Sequence, residues 1–342
     1  MPIIGRTSRR VCAVLVVALC LAALAALSGP LFPFTPAPSN VADVVGKAAD
    51  LDGYLREREA QHSPIKPELA KAVLWNDPAA RDRTPLSLVY LHGFSASRKD
   101  ITPVVERLAS TFAANAFLTR LAAHGRMTSG EFATVTAQDW LDDAREALAV
   151  GRRIGDRVIL IGTSTGALLA TMVALEDNSP RIAALVLLSP NFGLRDWRTQ
   201  FISGPLGPLL ARILVGTEYS FRPDTSGHAQ FWTSRYSSHA IVALMNLVNH
   251  ARSLRLGNLE IPTLILYTDK DTVVDTAAIE RRFDEIHASS RLIINLPGAS
   301  RHELTGDALV PETVGPVIAR VTSFLASIGI VQPGAPKAGP LN

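Results

Sequence analysis

The chain reads as an α/β protein: a mostly parallel, doubly wound sheet with helices on both faces and one helical insertion. Three observations carry that reading. Short apolar runs alternate with amphipathic stretches through most of the 342 residues, the pattern of strands buried on both faces between crossover helices. A glycine-bounded turn, Gly162 to Gly166, joins one such run directly to one such stretch. The alternation then stops for about 65 residues, Leu194 to Glu260, before it resumes.

Taken in order, residues 1–28 form an export signal or a membrane anchor. Arg6, Arg9 and Arg10 precede any acidic residue and run straight into 17 apolar residues, Val11 to Leu27. That is long for a signal sequence and short for a membrane span, so cleavage and retention both stay open. The basic end faces the cytoplasm either way, which places the rest of the chain outside it, periplasmic or extracellular. Cys12 and Cys20 both lie in this segment, so the exported part holds no thiol for a disulfide, a metal site or a nucleophile. Residues 29–40 carry Pro30, Pro33, Pro36 and Pro38 and read as an extended tether.

The core is expected at 41–193 and 261–330, with an insertion at 194–260 and a loose tail at 331–342. Leu86 to Leu91, Arg157 to Ile161, Ala184 to Leu188, Thr263 to Tyr267 and Leu292 to Leu296 are the clear strands. Ala116 to Arg120 is a weaker one, and Lys71 to Trp75 fits an early edge strand. Ile101 to Phe112, Ala137 to Arg153, Ala167 to Glu176 and Thr276 to Ala288 carry apolar residues three and four apart, the helical spacing. The insertion has a helical pattern around Ala240 to Leu256 and no strong strand; a segment this long between sheet strands is expected to be a lid of helices. Its aromatics Phe221, Phe231, Trp232 and Tyr236 would line a pocket or pack a small core of their own.

Charge narrows the function. With 34 basic and 31 acidic residues mixed along the chain, no basic block exists to track a phosphate backbone, and no nucleic-acid partner is expected.

The chemistry concentrates at Gly162-Thr163-Ser164-Thr165-Gly166. A serine on a sharp strand-to-helix turn stands free above the sheet, and Gly162 and Gly166 let strand and helix approach closely enough to hold it. The helix N-terminus also offers the Thr165 N–H and a partial positive charge to a developing oxyanion. A serine hydroxyl needs a base, oriented by a carboxylate. In a doubly wound order both follow the serine, on loops after later strands. Beyond Tyr267 lie only His287, inside an expected helix, and His302, just past the last strand. His302 is therefore the candidate base. Asp271 is the candidate acid, with Asp269 its rival, while Asp275 suits a helix cap. A second oxyanion donor is expected after Leu91, in His92-Gly93-Phe94: Gly93 permits the close turn, Phe94 supplies the N–H, and His92 braces the loop.

His92-Gly93-Phe94, His124-Gly125, the Gly162 to Gly166 turn, Asp271-Thr272-Val273-Val274 and His302-Glu303 occur in this order between about Lys71 and Leu325. In these the chain resembles the α/β-hydrolase superfamily, in its branch of monoacylglycerol lipases, lysophospholipases and bacterial carboxylesterases. The resemblance implies acyl transfer to water through a covalent Ser164 intermediate, with no metal or organic cofactor. The sequence departs from the pattern at Ala123, where relatives tend to have glycine, and at Thr163 and Thr165 beside the serine. The expected partner is a small acyl ester, lipid-like or short, with membrane contact only through the N-terminal segment. An acyltransferase, a thioesterase or a serine peptidase would use the same residues, and a binding protein could keep the fold without catalysis.

Overall fold

The computed structural model describes residues 11, 12, 14–17, 19, 34–62, 64–203 and 206–333. The basic residues 6, 9 and 10, residues 29–33 of the tether and residues 334–342 of the expected tail lie outside the described residues. The described part of the apolar run is helical, and among the described residues no helix is long and apolar enough to cross a membrane.

Seven strands make the central sheet: β1 (Ala72–Leu74), β2 (Thr84–Leu91), β3 (Asn115–Leu118), β4 (Gly155–Thr163), β5 (Ile182–Leu188), β8 (Thr263–Tyr267) and β9 (Arg291–Asn295). Their order is β1-β3-β2-β4-β5-β8-β9. Only β1 runs antiparallel, against β3; the other pairs are parallel, in agreement with the sequence reading.

Alternation along the strands builds two cores. Val89, Leu91, Val158, Leu160, Leu185 and Leu187 face one side; Leu88, Tyr90, Ile159, Ile161, Val186 and Leu188 face the other, as a period of two requires. The first side is covered by α4 (Ala137–Ile154) and α5 (Thr165–Asp177), and the second by α3 (Val104–Thr111) and α10 (Val314–Ser327). Thr136 opens α4 with a reciprocal capping box to Asp139, which satisfies donors that a helix start would otherwise leave exposed.

Three elements go beyond the sequence reading. The first is a pair of N-terminal helices, α1 (Val41–Lys47) and α2 (Leu51–Ala60), and the second is the C-terminal α10, which the sequence left unassigned. The third lies in the insertion between β5 and β8. There α6 (Gly207–Leu214), α7 (Ser226–Phe231) and α8 (Ser238–Arg252) are accompanied by a small antiparallel hairpin, β6 (Glu218–Ser220) with β7 (Arg235–Ser237), that encloses α7, while α9 (Thr276–Asp284) follows β8 in the core. The insertion is therefore not purely helical.

The insertion sits against the loops at the carboxyl ends of the strands. The Thr233 N–H donates to the Ser95 carbonyl at 2.7 Å, Thr225 Oγ1 donates to the Ala308 carbonyl at 2.8 Å, and Arg301 pairs with Asp224 at 2.7 Å.

Candidate active site

Ser164 follows β4 directly and caps α5 with φ 53° and ψ −114°, a left-handed backbone that L residues avoid. The glycines explain how the turn closes. A Cβ on Gly162 would meet the Gly166 carbonyl oxygen at 2.5 Å, and one on Gly166 would meet the Leu91 carbonyl oxygen at 2.0 Å. Any side chain there would drive helix and sheet apart.

His302 and Asp271 reach the same point from the loops after β9 and β8. His302 Nε2 lies 2.9 Å from Ser164 Oγ, and His302 Nδ1 lies 2.7 Å from Asp271 Oδ2. The other carboxylate oxygen of Asp271 accepts the Val273 N–H at 2.7 Å and the Val274 N–H at 2.9 Å, so a turn of its own loop aims it. All three side chains are buried. The two loops are tied together as well: Thr268 Oγ1 donates to the Ala299 carbonyl, Ser189 Oγ donates to the His302 carbonyl, and Arg195 Nη1 donates to the Asp271 carbonyl at 2.7 Å. Sequence reasoning missed Ser189 and Arg195, which carry no pattern of their own.

Burial alone would push the His302 imidazole down, but the hydrogen bond and charge of Asp271, with Glu303 beside it, hold it above the ordinary histidine value. Burial would likewise raise Asp271; the bonds from His302, Val274 and Val273 outweigh it and hold the carboxyl below its usual range. The pair is thus built to stabilise an imidazolium against a carboxylate.

The structure does not bring the rivals here. Asp269 is exposed, His287 is exposed beyond α9, and Asp275 caps α9 through the Ala277 N–H at 3.0 Å.

The loop after β2 lies against Ser164: a Cβ on Gly93 would stand 3.6 Å from Ser164 Cβ. Among the described residues the Phe94 and Thr165 N–H groups meet no protein acceptor. Phe94 packs its ring against His124, Phe132, Trp140 and Tyr236, with centroids 5.0–6.0 Å away. His92 braces this loop: the Leu121 N–H donates to its Nε2 at 3.0 Å, so Nδ1 carries the proton and donates to the Gly93 carbonyl at 2.8 Å. Its burial pushes the imidazole down to about 4. His124 does the same one turn away, accepting the Ser95 N–H at 2.9 Å, and is likewise held well below the ordinary value by burial. Of the lid aromatics, Tyr236 reaches this cluster, whereas Phe221 and Trp232 pack on His228.

Comparison with known proteins fits this geometry. The chain is similar in structure to the metagenome-derived lipolytic enzymes LipS and LipT, at 17% identity over 77% of this chain and 99% of that one, with a TM-score of 0.60. It is similar to the monoacylglycerol lipase of Paleococcus ferrophilus, at 17% identity over 76% and 99% with a TM-score of 0.58. A soluble variant of the Saccharomyces cerevisiae monoglyceride lipase, solved with a substrate analogue, gives 16% identity over 76% and 91% with a TM-score of 0.58. At such identities the likeness is one of fold. No curated protein sequence matches the chain. The family model of Hydrolase_4, described as serine aminopeptidase S33, matches residues 85–308, a span that holds the loop after β2, the Ser164 turn, Asp271 and His302 together. By that match, over more than half its length, the chain belongs to the serine aminopeptidase S33 family of α/β hydrolases.

Proposed function

We propose that the chain is a carboxylic ester hydrolase acting on lipid-like or short acyl esters, with Ser164 as nucleophile, His302 as general base and Asp271 as its orienting acid. The observation that carries the reading is the unbroken relay from Ser164 Oγ through His302 to Asp271. His302 Nε2 takes the Ser164 proton as Oγ bonds to the substrate carbonyl carbon. The carbonyl oxygen becomes an oxyanion facing the Phe94 and Thr165 N–H groups at the start of α5, where the helix dipole also favours negative charge. His302 returns the proton to the leaving alcohol, the acyl group stays on Ser164, and water attacks it by the same route.

Ester rather than peptide substrates fit the apolar lid. Trp197, Leu206, Leu209, Ile213 and Leu214 are exposed on it, a surface that suits acyl chains or a lipid phase more than a charged peptide terminus. The three named structural relatives are themselves lipolytic or monoglyceride lipases. The basic and apolar N-terminal sequence supports a place outside the cytoplasm, either released or held at the membrane by residues 11–27.

A chain-length series of p-nitrophenyl esters tests the proposal, run beside aminoacyl p-nitroanilides and with added alcohols. Turnover of esters into water, abolished in Ser164→Ala, is expected. Faster turnover of anilides would make the chain a peptidase, and acyl transfer to the alcohols in preference to water would make it a transferase.

A further inference from the structure

Behind the Ser164 turn, on the sheet face covered by α3, lies a carboxyl that the relay does not use. Asp100 is buried. Its Oδ2 accepts the Gly93 N–H at 3.2 Å, and its Oδ1 accepts the Tyr90 hydroxyl. Tyr90 Oη also lies 2.9 Å from Thr163 Oγ1. A phenol has one proton and an ionised carboxylate only accepts, so with Asp100 ionised Tyr90 donates to it and the Thr163 hydroxyl donates to Tyr90. One buried carboxyl thereby ties the residue before Phe94 to the residue before Ser164.

We propose that Asp100 is a positioning residue of the oxyanion site, fixing the Gly93–Phe94 peptide relative to the Ser164 turn so that the Phe94 and Thr165 N–H groups face one oxygen. The proposal rests on the reading of Ser164 as nucleophile. Gly93 is held at both ends: Asp100 takes its N–H, and His92 Nδ1 donates to its carbonyl. That carbonyl shares a rigid peptide plane with the Phe94 N–H, so fixing one aims the other. A third loop closes the arrangement. A Cβ on Gly306 would stand 2.2 Å from the Asp100 carbonyl oxygen, and the Asp307 N–H donates to the Thr102 carbonyl at 2.8 Å, so the loop that carries His302 presses on the backbone at Asp100.

The electrostatics of Asp100 point the same way. Among the described residues it has no salt-bridge partner. Burial pushes it up to about 7, with Glu303 adding repulsion, against the bonds from Tyr90, Gly93 and Ile101. A buried carboxyl without a cation destabilises a fold, and such groups concentrate where geometry serves chemistry.

The test uses the full chain with Asp100→Ala, Asp100→Asn and Tyr90→Phe. It measures kcat and KM for a p-nitrophenyl ester, the inhibition constant of an alkyl trifluoromethyl ketone, and thermal unfolding. Ser164 Oγ adds to the ketone carbon, its proton passes to His302, and the ketone oxygen becomes the anion that the two N–H groups must meet. Misplacing one donor should lower kcat about 10- to 100-fold in Asp100→Ala, with KM little changed. The inhibition constant should rise by the same factor. Asp100→Asn, whose carbonyl still accepts the Gly93 N–H, should recover most of both, and Tyr90→Phe should raise the inhibition constant several-fold even if Asp100→Ala does not fold. An unchanged inhibition constant in Tyr90→Phe and in whichever Asp100 variants fold would overturn the proposal, as would a loss confined to KM or to thermal stability. A wild-type enzyme that the ketone does not inhibit, or turnover surviving in Ser164→Ala, would instead fail the reading of Ser164 itself.

Discussion

At the scale of single residues, the two carboxylates of one loop separate cleanly. Asp271 is buried on His302 while Asp269 stands in solvent two residues away. Asp271→Asn keeps the shape but loses the charge that supports the imidazolium, and kcat should fall by about 10⁴-fold. Asp269→Asn should stay within about twofold of wild type, so ester kinetics of the two variants decide the assignment. The same contact sets the pH response. Because Asp271 raises His302 above the ordinary value, the base is protonated and idle at low pH, and kcat/KM should rise with an inflection above about 6.5. In Asp271→Asn burial acts unopposed by that charge and the inflection should move to lower pH; an inflection that stays in place would show that another group controls the rate.

Among the elements, α2 is held by charge rather than by apolar area. Of its ten residues only Leu51 and Leu55 are buried. Its Tyr54 hydroxyl donates to Glu146 of α4 at 2.6 Å, and Glu59 receives Arg120 at 3.0 Å. Lys71, just before β1, pairs with both Asp143 and Glu146 of α4, and Asp143 in turn accepts the Ala122 N–H at 2.6 Å. Lys71→Met would take the ion-pair partner from buried Asp143 and leave Glu146 with Arg58 alone among the described residues, at 3.4 Å, and should reduce unfolding free energy by about 3–5 kcal/mol, read from urea denaturation. This is also why α2 was not legible in the sequence: in its segment, Leu51 to Ala60, the apolar residues at helical spacing end at Leu55 and the next four residues are all charged, too short a stripe to register. The hairpin of β6 and β7 has three residues a side, too short for a period of two to register. In α10, Gly315-Pro316 reads as a turn in sequence, yet proline fits the first turn of a helix, where its missing N–H has no partner to lose.

For the molecule as a whole, the sheet was legible because parallel strands buried on both faces are continuous apolar runs, and β2, β4, β5 and β8 stand where such runs occur. Ser164, Asp271 and His302 were legible because each follows a strand and carries a chemistry that few side chains supply. Asp100 and Tyr90 were not, since a lone aspartate seven residues past Gly93 has no pattern until the chain is folded. Folding also leaves its mark in the backbone at Ser164, with φ 53° and ψ −114°. A side chain in such a conformation costs about 1–3 kcal/mol that glycine escapes. Ser164→Gly should therefore outlast Ser164→Ala on heating by about that margin, although both lack the hydroxyl. The fold would be sturdier without the atom that the proposed chemistry depends on, so selection for durability and selection for that chemistry would pull this one position in opposite directions.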